Sequence, residues 1–186
     1  MTVEPVKLVG ENLRSARARR GLSLSEVARQ AGIGKGTLSE LESGNRNPTL
    51  ETLYALATVL GLPLGRLLAA ESESPGEELH VHRSKGPEIS GRAADVELLD
   101  RVDDGRTRLE VYQLHIRAGT RYTSPAHHPR VIEQLHVHTG TLITGPESDP
   151  HTLNPGDYIR FDATVPHVYE APGDATTATL VMRYPT

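Results

Sequence analysis

The chain of 186 residues contains no cysteine and no tryptophan, and it has one phenylalanine and two methionines. Without cysteine it can form neither disulfides nor thiolate metal sites. No apolar run reaches the roughly 18 residues that a membrane-spanning helix needs. The N-terminal stretch MTVEPVKLVG lacks the basic segment and the long apolar core of a secretory signal, so we expect a cytoplasmic protein that does not bind membranes.

Charge and histidine are distributed unevenly along the chain. Residues 1–70 carry a net charge of +3, residues 71–186 carry −7, and all nine histidines lie in the second part. Such an asymmetry favours two parts with different partners. A mildly basic first part is compatible with binding to a polyanion such as DNA.

The first 70 residues predict five short helices. Val9, Leu13 and Ala16 recur at helical spacing, and a capping box, SLSE (23–26), begins a second helix. After a turn at 32–34, we predict a third helix through KGTLSELES (35–43), a fourth from Pro48 and a short fifth from Pro63.

The pattern changes after an acidic stretch, ESESPGEE (71–78), whose composition and Pro-Gly pair predict a linker. Beyond it, short β-rich segments such as LEVYQLHI and ATLVMRY alternate with Gly, Pro and Asp turns, which is typical of an antiparallel sandwich or barrel. We therefore predict an α+β chain with a helical domain at 1–70, a linker at 71–78 and a β-domain at 79–186.

Two short helices joined by a tight turn can place the second helix in the major groove of DNA. The segments GLS (21–23), LSELESG (38–44) and PTLETL (48–53) resemble the λ-repressor-like DNA-binding domain of the Xre/Cro family, a five-helix fold. The resemblance implies a transcriptional regulator, expected to be a repressor, that binds a double-stranded operator. It also implies a structural ion pair between Arg17 and Glu42.

By the same resemblance, the candidate DNA contacts lie on the exposed face of the third helix and on the turns beside it. Lysine can donate to guanine or phosphate, serine can contact most base edges, and glutamate can accept from cytosine. The turn after the third helix is placed for phosphates, which set register rather than sequence; the alternative is a solvated turn. Backbone amides at the start of the second helix offer another phosphate site. The candidates are Ser23, Lys35, Gly36, Thr37, Ser39, Glu40, Asn45 and Arg46. Gly36 either lets the DNA backbone approach or reads nothing.

A second set of spacings lies between Gly119 and His167. Glu133 follows His128 after four residues and precedes Gly140 by six, and PGD (155–157) and Pro166-His167 come later. These segments resemble the two motifs of the cupin family, a small β-barrel, and the resemblance covers about 79–184. The histidine pair of the first motif is incomplete, because Ala126 stands in its first slot in one register and Pro129 in its second slot in the other.

Imidazole and carboxylate are ligands for divalent transition metals. The resemblance implies His128, Glu133 and His167 as candidate ligands for Zn, Mn, Fe or Ni, with His127 as a substitute. The alternative is a hydrogen-bonded polar floor of a pocket without metal. Strand alternation from Glu133 predicts that His136 and His138 face outward.

A small barrel can also hold one small effector molecule. The candidates to line its pocket are Tyr112, Gln113, Tyr158 and Tyr169. One helix-turn-helix contacts only half an operator, so we expect a homodimer joined through the cupin domain. Two alternatives stay open: a metal-dependent cupin enzyme fused to a DNA-binding domain, and a DNA-binding antitoxin. The incomplete ligand set argues against catalysis.

Overall fold

The computed structural model describes residues 5–68, 88–103 and 108–184. The chain divides into two compact units, Met1–Val81 and His82–Thr186. The predicted linker at 71–78 lies outside the described residues. Within the described ranges, no helix is long and apolar enough to cross a membrane.

Residues 5–68 of the first unit form five helices, as predicted. Local signals determine their ends: the Ser23 side chain accepts a hydrogen bond from Glu26 N, the Thr49 side chain accepts one from Thr52 N, and Gly61 ends a helix with φ 59°. Leucines such as Leu53, which is fully buried, form the core between the helices. The helices are α1 (Pro5–Arg19), α2 (Leu24–Gln30), α3 (Lys35–Glu42), α4 (Leu50–Leu60) and α5 (Gly65–Leu68).

Helix α3 packs closely against α1 at Gly10. A Cβ atom at Gly10 would lie 2.5 Å from the carbonyl oxygen of Leu41, far inside van der Waals contact. Glycine is therefore required where the two helices cross. This contact and the buried Leu38 and Leu41 turn the polar side of α3 away from the core.

The described part of the second unit consists of ten strands in two antiparallel sheets, which confirms the predicted β-rich domain. One sheet has the order β1-β2-β3-β10-β5-β8 and the other the order β4-β9-β6-β7. The strands are β1 (Glu88–Ser90), β2 (Ala94–Asp103), β3 (Arg108–Ile116), β4 (Thr120–Ser124), β5 (Ile132–Thr139), β6 (Leu142–Pro146), β7 (His151–Leu153), β8 (Tyr158–Asp162), β9 (His167–Ala171) and β10 (Thr176–Tyr184).

Strand alternation divides each sheet into a buried face and an outer face. On β5, Glu133, Leu135 and Val137 are buried, whereas His136 and His138 are exposed, so the predicted alternation is confirmed. The turn after β5 depends on glycine: Gly140 has φ 75°, and a Cβ there would collide with the Thr176 hydroxyl. The six residues between Glu133 and Gly140 are thus the rest of β5, which ends where this turn begins.

Candidate DNA-binding face and candidate metal centre

Helices α2 and α3 form a helix-turn-helix. The turn between them is closed by a hydrogen bond from Ile33 N to Ala28 O at 2.9 Å and contains Gly32 with φ 67°. The polar candidates therefore lie along one face of α3 and around it. Thr37 is half-buried, and the others are exposed: Ser23, Lys35, Gly36, Ser39, Glu40, Asn45 and Arg46.

Two of these candidates contact each other. Arg46 Nη1 lies 3.1 Å from Glu40 Oε2, and both side chains are more than half exposed. An exposed pair of this kind contributes at most about 1 kcal/mol to stability. It does hold the Arg46 guanidinium beside the end of α3.

The expected ion pair between Arg17 and Glu42 is present. Arg17 Nε and Nη2 donate to the two Glu42 oxygens at 2.6 and 2.8 Å, and Nη1 donates to Leu22 O at 3.0 Å. The Glu42 side chain is 7% exposed. The hydrogen bonds that Arg17 donates to Glu42 outweigh the effect of burial and raise the pKa of Arg17 above its usual value. The pair fastens the end of α3 to α1 and to the turn before α2.

A second cluster lies inside the β-domain. Glu133 Oε1 is 2.8 Å from His127 Nε2 and 3.4 Å from His167 Nε2. One ligand atom from each of the three residues lies within 4.8 Å of the others. Glu133 and His167 are almost completely buried, and the His127 side chain is 7% exposed. Two imidazoles and one carboxylate suit Zn, Fe or a related divalent ion.

His167 is oriented as a ligand would be. Its Nδ1 lies 2.9 Å from the carbonyl oxygen of Val165, and because a carbonyl only accepts, Nδ1 carries the proton. In the neutral ring Nε2 then presents a lone pair toward Glu133 and His127. That atom is buried and makes no hydrogen bond of good geometry with any described residue. A hydrogen bond from the second ring nitrogen to a carbonyl is the usual support of a metal-binding histidine, so the cluster fits a metal.

The structure corrects the expected ligand set. His128 is exposed and lies outside the cluster, and His127 takes its place. The backbone explains the change: His127 N donates to Ala163 O at 2.8 Å, and Val131 N closes a turn on His128 O. Arg130 in that turn has φ 68°, a conformation that costs a non-glycine residue free energy. His127 is one residue farther from Glu133 along the chain than His128 is, and this turn accommodates the extra residue.

Two of the four candidates for the pocket lining face the interior of the domain: Tyr112 is buried and Tyr169 is half-buried. The Tyr169 hydroxyl donates to Glu133 Oε2, which leaves Oε1 directed at the two histidines. Tyr112 donates to Glu110 Oε2 at 2.7 Å. The other two candidates were wrong, because alternation puts them on the outer face: Gln113 follows the inward Tyr112, and Tyr158 is 56% exposed and donates to Gln134.

Sequence reasoning missed Glu110. Its side chain is fully buried and accepts hydrogen bonds from Tyr112 and Tyr184, each at 2.7 Å. It stands opposite Met182, whose other neighbour is Glu133. Glu110 shares the parity of Tyr112 and Leu114 within LEVYQLHI, but both alternating sets of this segment mix apolar and polar residues. The sequence pattern therefore gave no signal that Glu110 faces the interior.

The cluster also perturbs protonation. Burial would raise the pKa of Glu133, but favourable contacts with His127 and His167 outweigh it and hold the pKa of Glu133 well below its usual range. Burial would lower the pKa of His167, but Glu133 and the Val165 carbonyl together raise it. Without a metal, the cluster therefore favours the charged forms of Glu133 and His167 relative to the same groups in water.

Comparisons with known proteins agree with these two halves. Residues 13–67 match the helix-turn-helix family model and residues 112–183 match the cupin domain model. A HTH-type transcriptional regulator of Sinorhizobium fredii, y4dJ, is 44% identical over 69 residues, which are 37% of this chain and 90% of the relative. The chain belongs to the HTH-type transcriptional regulators. The relative that shows the family covers only the helix-turn-helix half of the chain. The second half is identified as a cupin domain by the family model.

Two further similarities cover both halves of this regulator. The HTH-type transcriptional regulator SutR of Escherichia coli (strain K12) is 27% identical over 176 residues, which are 91% of this chain and 90% of SutR. The crystal structure of an HTH_3 family transcriptional regulator from Vibrio cholerae has a TM-score of 0.75 at 24% identity and covers 98% of both chains. At that identity the second likeness shows the fold alone.

Proposed function

We propose that this regulator represses transcription by binding an operator as a homodimer, and that its cupin domain binds a small effector. The observation that carries the proposal is the polar, exposed face of α3 on a helix-turn-helix whose opposite face is buried. Lys35 and Ser39 supply a cation and a hydroxyl for base edges. Asn45 and Arg46 supply phosphate contacts that set the register.

Homodimerisation follows from the size of the module. One recognition helix spans half a site, and two half-sites one helical turn apart, about 34 Å, require two copies. The cupin domain is the candidate to join them. Residues 1–78 alone should then be a monomer with low operator affinity. Tight dimers of that fragment, measured by sedimentation, would place the dimer interface elsewhere.

The interior of the cupin domain supports effector binding. Thr144 is fully buried, and its hydroxyl has no hydrogen-bond partner among the described residues. Its cross-strand neighbour is Tyr169, whose hydroxyl reaches Glu133, so both side chains lie on the interior face. Buried polar atoms without partners usually contact an ion, a water or a ligand. A metal held by His127, Glu133 and His167 would supply a Lewis-acid position for an oxygen-containing effector.

Operator binding is tested first, with DNA selected from a random library by the whole protein. Lys35→Ala and Ser39→Ala should lower operator affinity by about tenfold each, since a base contact contributes about 1–3 kcal/mol. Ser15→Ala is the matched control, because Ser15 is exposed on α1 and contacts Arg19. Equal affinities for Ser39→Ala and the wild type would refute this recognition face.

A metal-dependent enzyme is the second candidate function. The observation in its favour is the set of two histidines and one carboxylate, which non-haem iron oxygenases also use. Metal content of the dialysed protein should be compared with that of a His127→Ala/His167→Ala variant. Metal that is lost in the variant, together with turnover of an added substrate, would favour the enzyme. Metal or effector that changes operator affinity without turnover would favour the sensor.

A further inference from the structure

Two exposed histidines stand side by side on the outer face of the six-stranded sheet. His136 and His138 lie on β5, separated by the buried Val137, so both rings project from the same side of the strand. Their ring centroids are 5.1 Å apart, with an angle of 79° between the ring planes. The interior cluster uses Glu133, which lies on the opposite face of the same strand. The two groups are therefore separated by the sheet itself.

The spacing of the two rings matches that of a chelate. With a metal–nitrogen bond of about 2.1 Å, each ring centre would lie about 3.2 Å from a shared ion. A tetrahedral angle between the two bonds then separates the ring centres by about 5.2 Å, and a right angle by about 4.5 Å. The observed 5.1 Å falls within this range, close to the tetrahedral value.

A hydrogen bond orients one of the rings. His138 Nε2 lies 2.7 Å from the hydroxyl of Thr179 on the neighbouring β10, and Thr179 is also the cross-strand partner of His136. When Nε2 donates to this hydroxyl, Nδ1 carries the lone pair that a metal needs. Support of this kind through the second nitrogen is typical of metal-binding histidines.

We propose that His136 and His138 form a two-histidine chelate for a divalent transition metal on the outer face of the sheet, with water completing the coordination. Imidazole suits Cu²⁺, Ni²⁺ and Zn²⁺, and the usual order of affinities places Cu²⁺ first. This site is independent of the proposed function and of the interior cluster.

The test is a titration of the full-length protein with Cu²⁺, followed by calorimetry in a buffer that competes weakly for the metal. It compares the wild type with His136→Ala, His138→Ala and the double variant, each also prepared with His127→Ala/His167→Ala to remove the interior cluster. In a chelate both ligands act together, so each single variant should lose about tenfold or more in affinity and the double variant little beyond that. His115→Ala, which removes an exposed histidine from β3, should leave the affinity unchanged.

Two further readouts separate a chelate from scattered surface binding. The electron paramagnetic resonance spectrum of the bound Cu²⁺ should show two nitrogen ligands, reduced to one in either single variant. Thr179→Val should weaken binding by about tenfold and Thr179→Ser should restore it, as expected for a supporting hydrogen bond. Additive losses at the two histidines, an equal loss in His115→Ala, or unchanged affinity in the double variant would each overturn the proposal.

Discussion

The ion pair between Arg17 and Glu42 should behave as a buried pair whose partners depend on each other. The Glu42 side chain is 7% exposed and the Arg17 side chain 18% exposed, and two hydrogen bonds of 2.6 and 2.8 Å join them. Replacing Arg17 by methionine leaves a shielded carboxylate without its cation. Breaking a buried pair in this way costs about 3–5 kcal/mol. Because Arg17 retains some exposure, we expect about 3 kcal/mol.

The reverse change should cost less. Glu42→Met leaves Arg17 with its hydrogen bond to Leu22 O and with partial access to water, so we expect about 2 kcal/mol, below the range for a fully buried pair. The double variant Arg17→Met/Glu42→Met leaves no unpaired charge and should unfold within about 1 kcal/mol of the wild type. The resulting coupling energy is about 4–6 kcal/mol, far above that of an exposed pair.

Urea denaturation followed by circular dichroism at 222 nm measures these changes, because all described helices belong to the first unit. Urea is chosen because it carries no charge and so does not screen ion pairs. The matched control is Arg46→Met, which breaks the exposed pair with Glu40 and should change stability by less than about 1 kcal/mol. Additive effects below 0.5 kcal/mol at Arg17 and Glu42 would refute the buried-pair reasoning, on the scale of about 1 kcal/mol that separates the two classes.

Three further outcomes are expected. Gly36→Ala should stabilise the first unit by about 0.5–1 kcal/mol in urea titrations, since a Cβ there meets nothing within 4 Å. If the variant also loses operator affinity, the DNA backbone approaches Gly36 closely. If its operator affinity is unchanged, Gly36 makes no contact with the DNA. Arg46→Ala should weaken operator and random DNA alike and lower the slope of log affinity against log salt by about one; a loss confined to the operator would contradict a phosphate contact. In metal-free protein, the stability of the cupin domain should fall as the pH rises through the raised pKa of His167, because the protonated ring is bound more favourably in the folded state. The contribution of Glu133 has the opposite sign, because the pKa of Glu133 is lowered in the folded protein. The free energy of unfolding that Glu133 contributes is lost progressively as the pH falls below about 4. The urea midpoint by tyrosine fluorescence checks both limits, and an alkaline slope that persists in His167→Gln would contradict the assignment.

The helical half could be predicted from sequence because its signals are local. The Ser23 cap, the left-handed Gly61 and the spacing of buried leucines each act within one or two turns. The Arg17–Glu42 pair is a long-range contact, and only the family resemblance indicated it. The alternation on β5 was equally readable, because the burial of Leu135 and Val137 fixes the parity of every residue between Glu133 and His138.

The ligand choice between His127 and His128 was not readable from spacing. It depends on the hydrogen bond from His127 N to Ala163 O and on the left-handed conformation of Arg130. Together they shape the turn before β5 so that it accommodates the extra residue and directs His127 toward Glu133. A spacing rule counts residues, whereas the turn decides which side chain points inward. The same limit explains why Gln113 was expected in the interior. Which side chains of β3 point inward depends on which alternating set is buried, and a segment of mixed polarity does not show that from sequence.

By itself, the sequence determined that the chain has two halves, that the first is a helix-turn-helix and that the second is a β-domain that carries all nine histidines. These features depend on periodicity, caps and turn residues, which act over a few residues. The tertiary structure decided that His127, Glu133 and His167 meet, that Tyr169 holds the other oxygen of Glu133, and that His136 and His138 share an outer face beside Thr179. His127 and Glu133 are six residues apart, but the contacts of Glu133 with His167 and Tyr169 and of His138 with Thr179 join residues more than 30 positions apart. The register of strand pairing, rather than local preference, fixes which of these side chains meet.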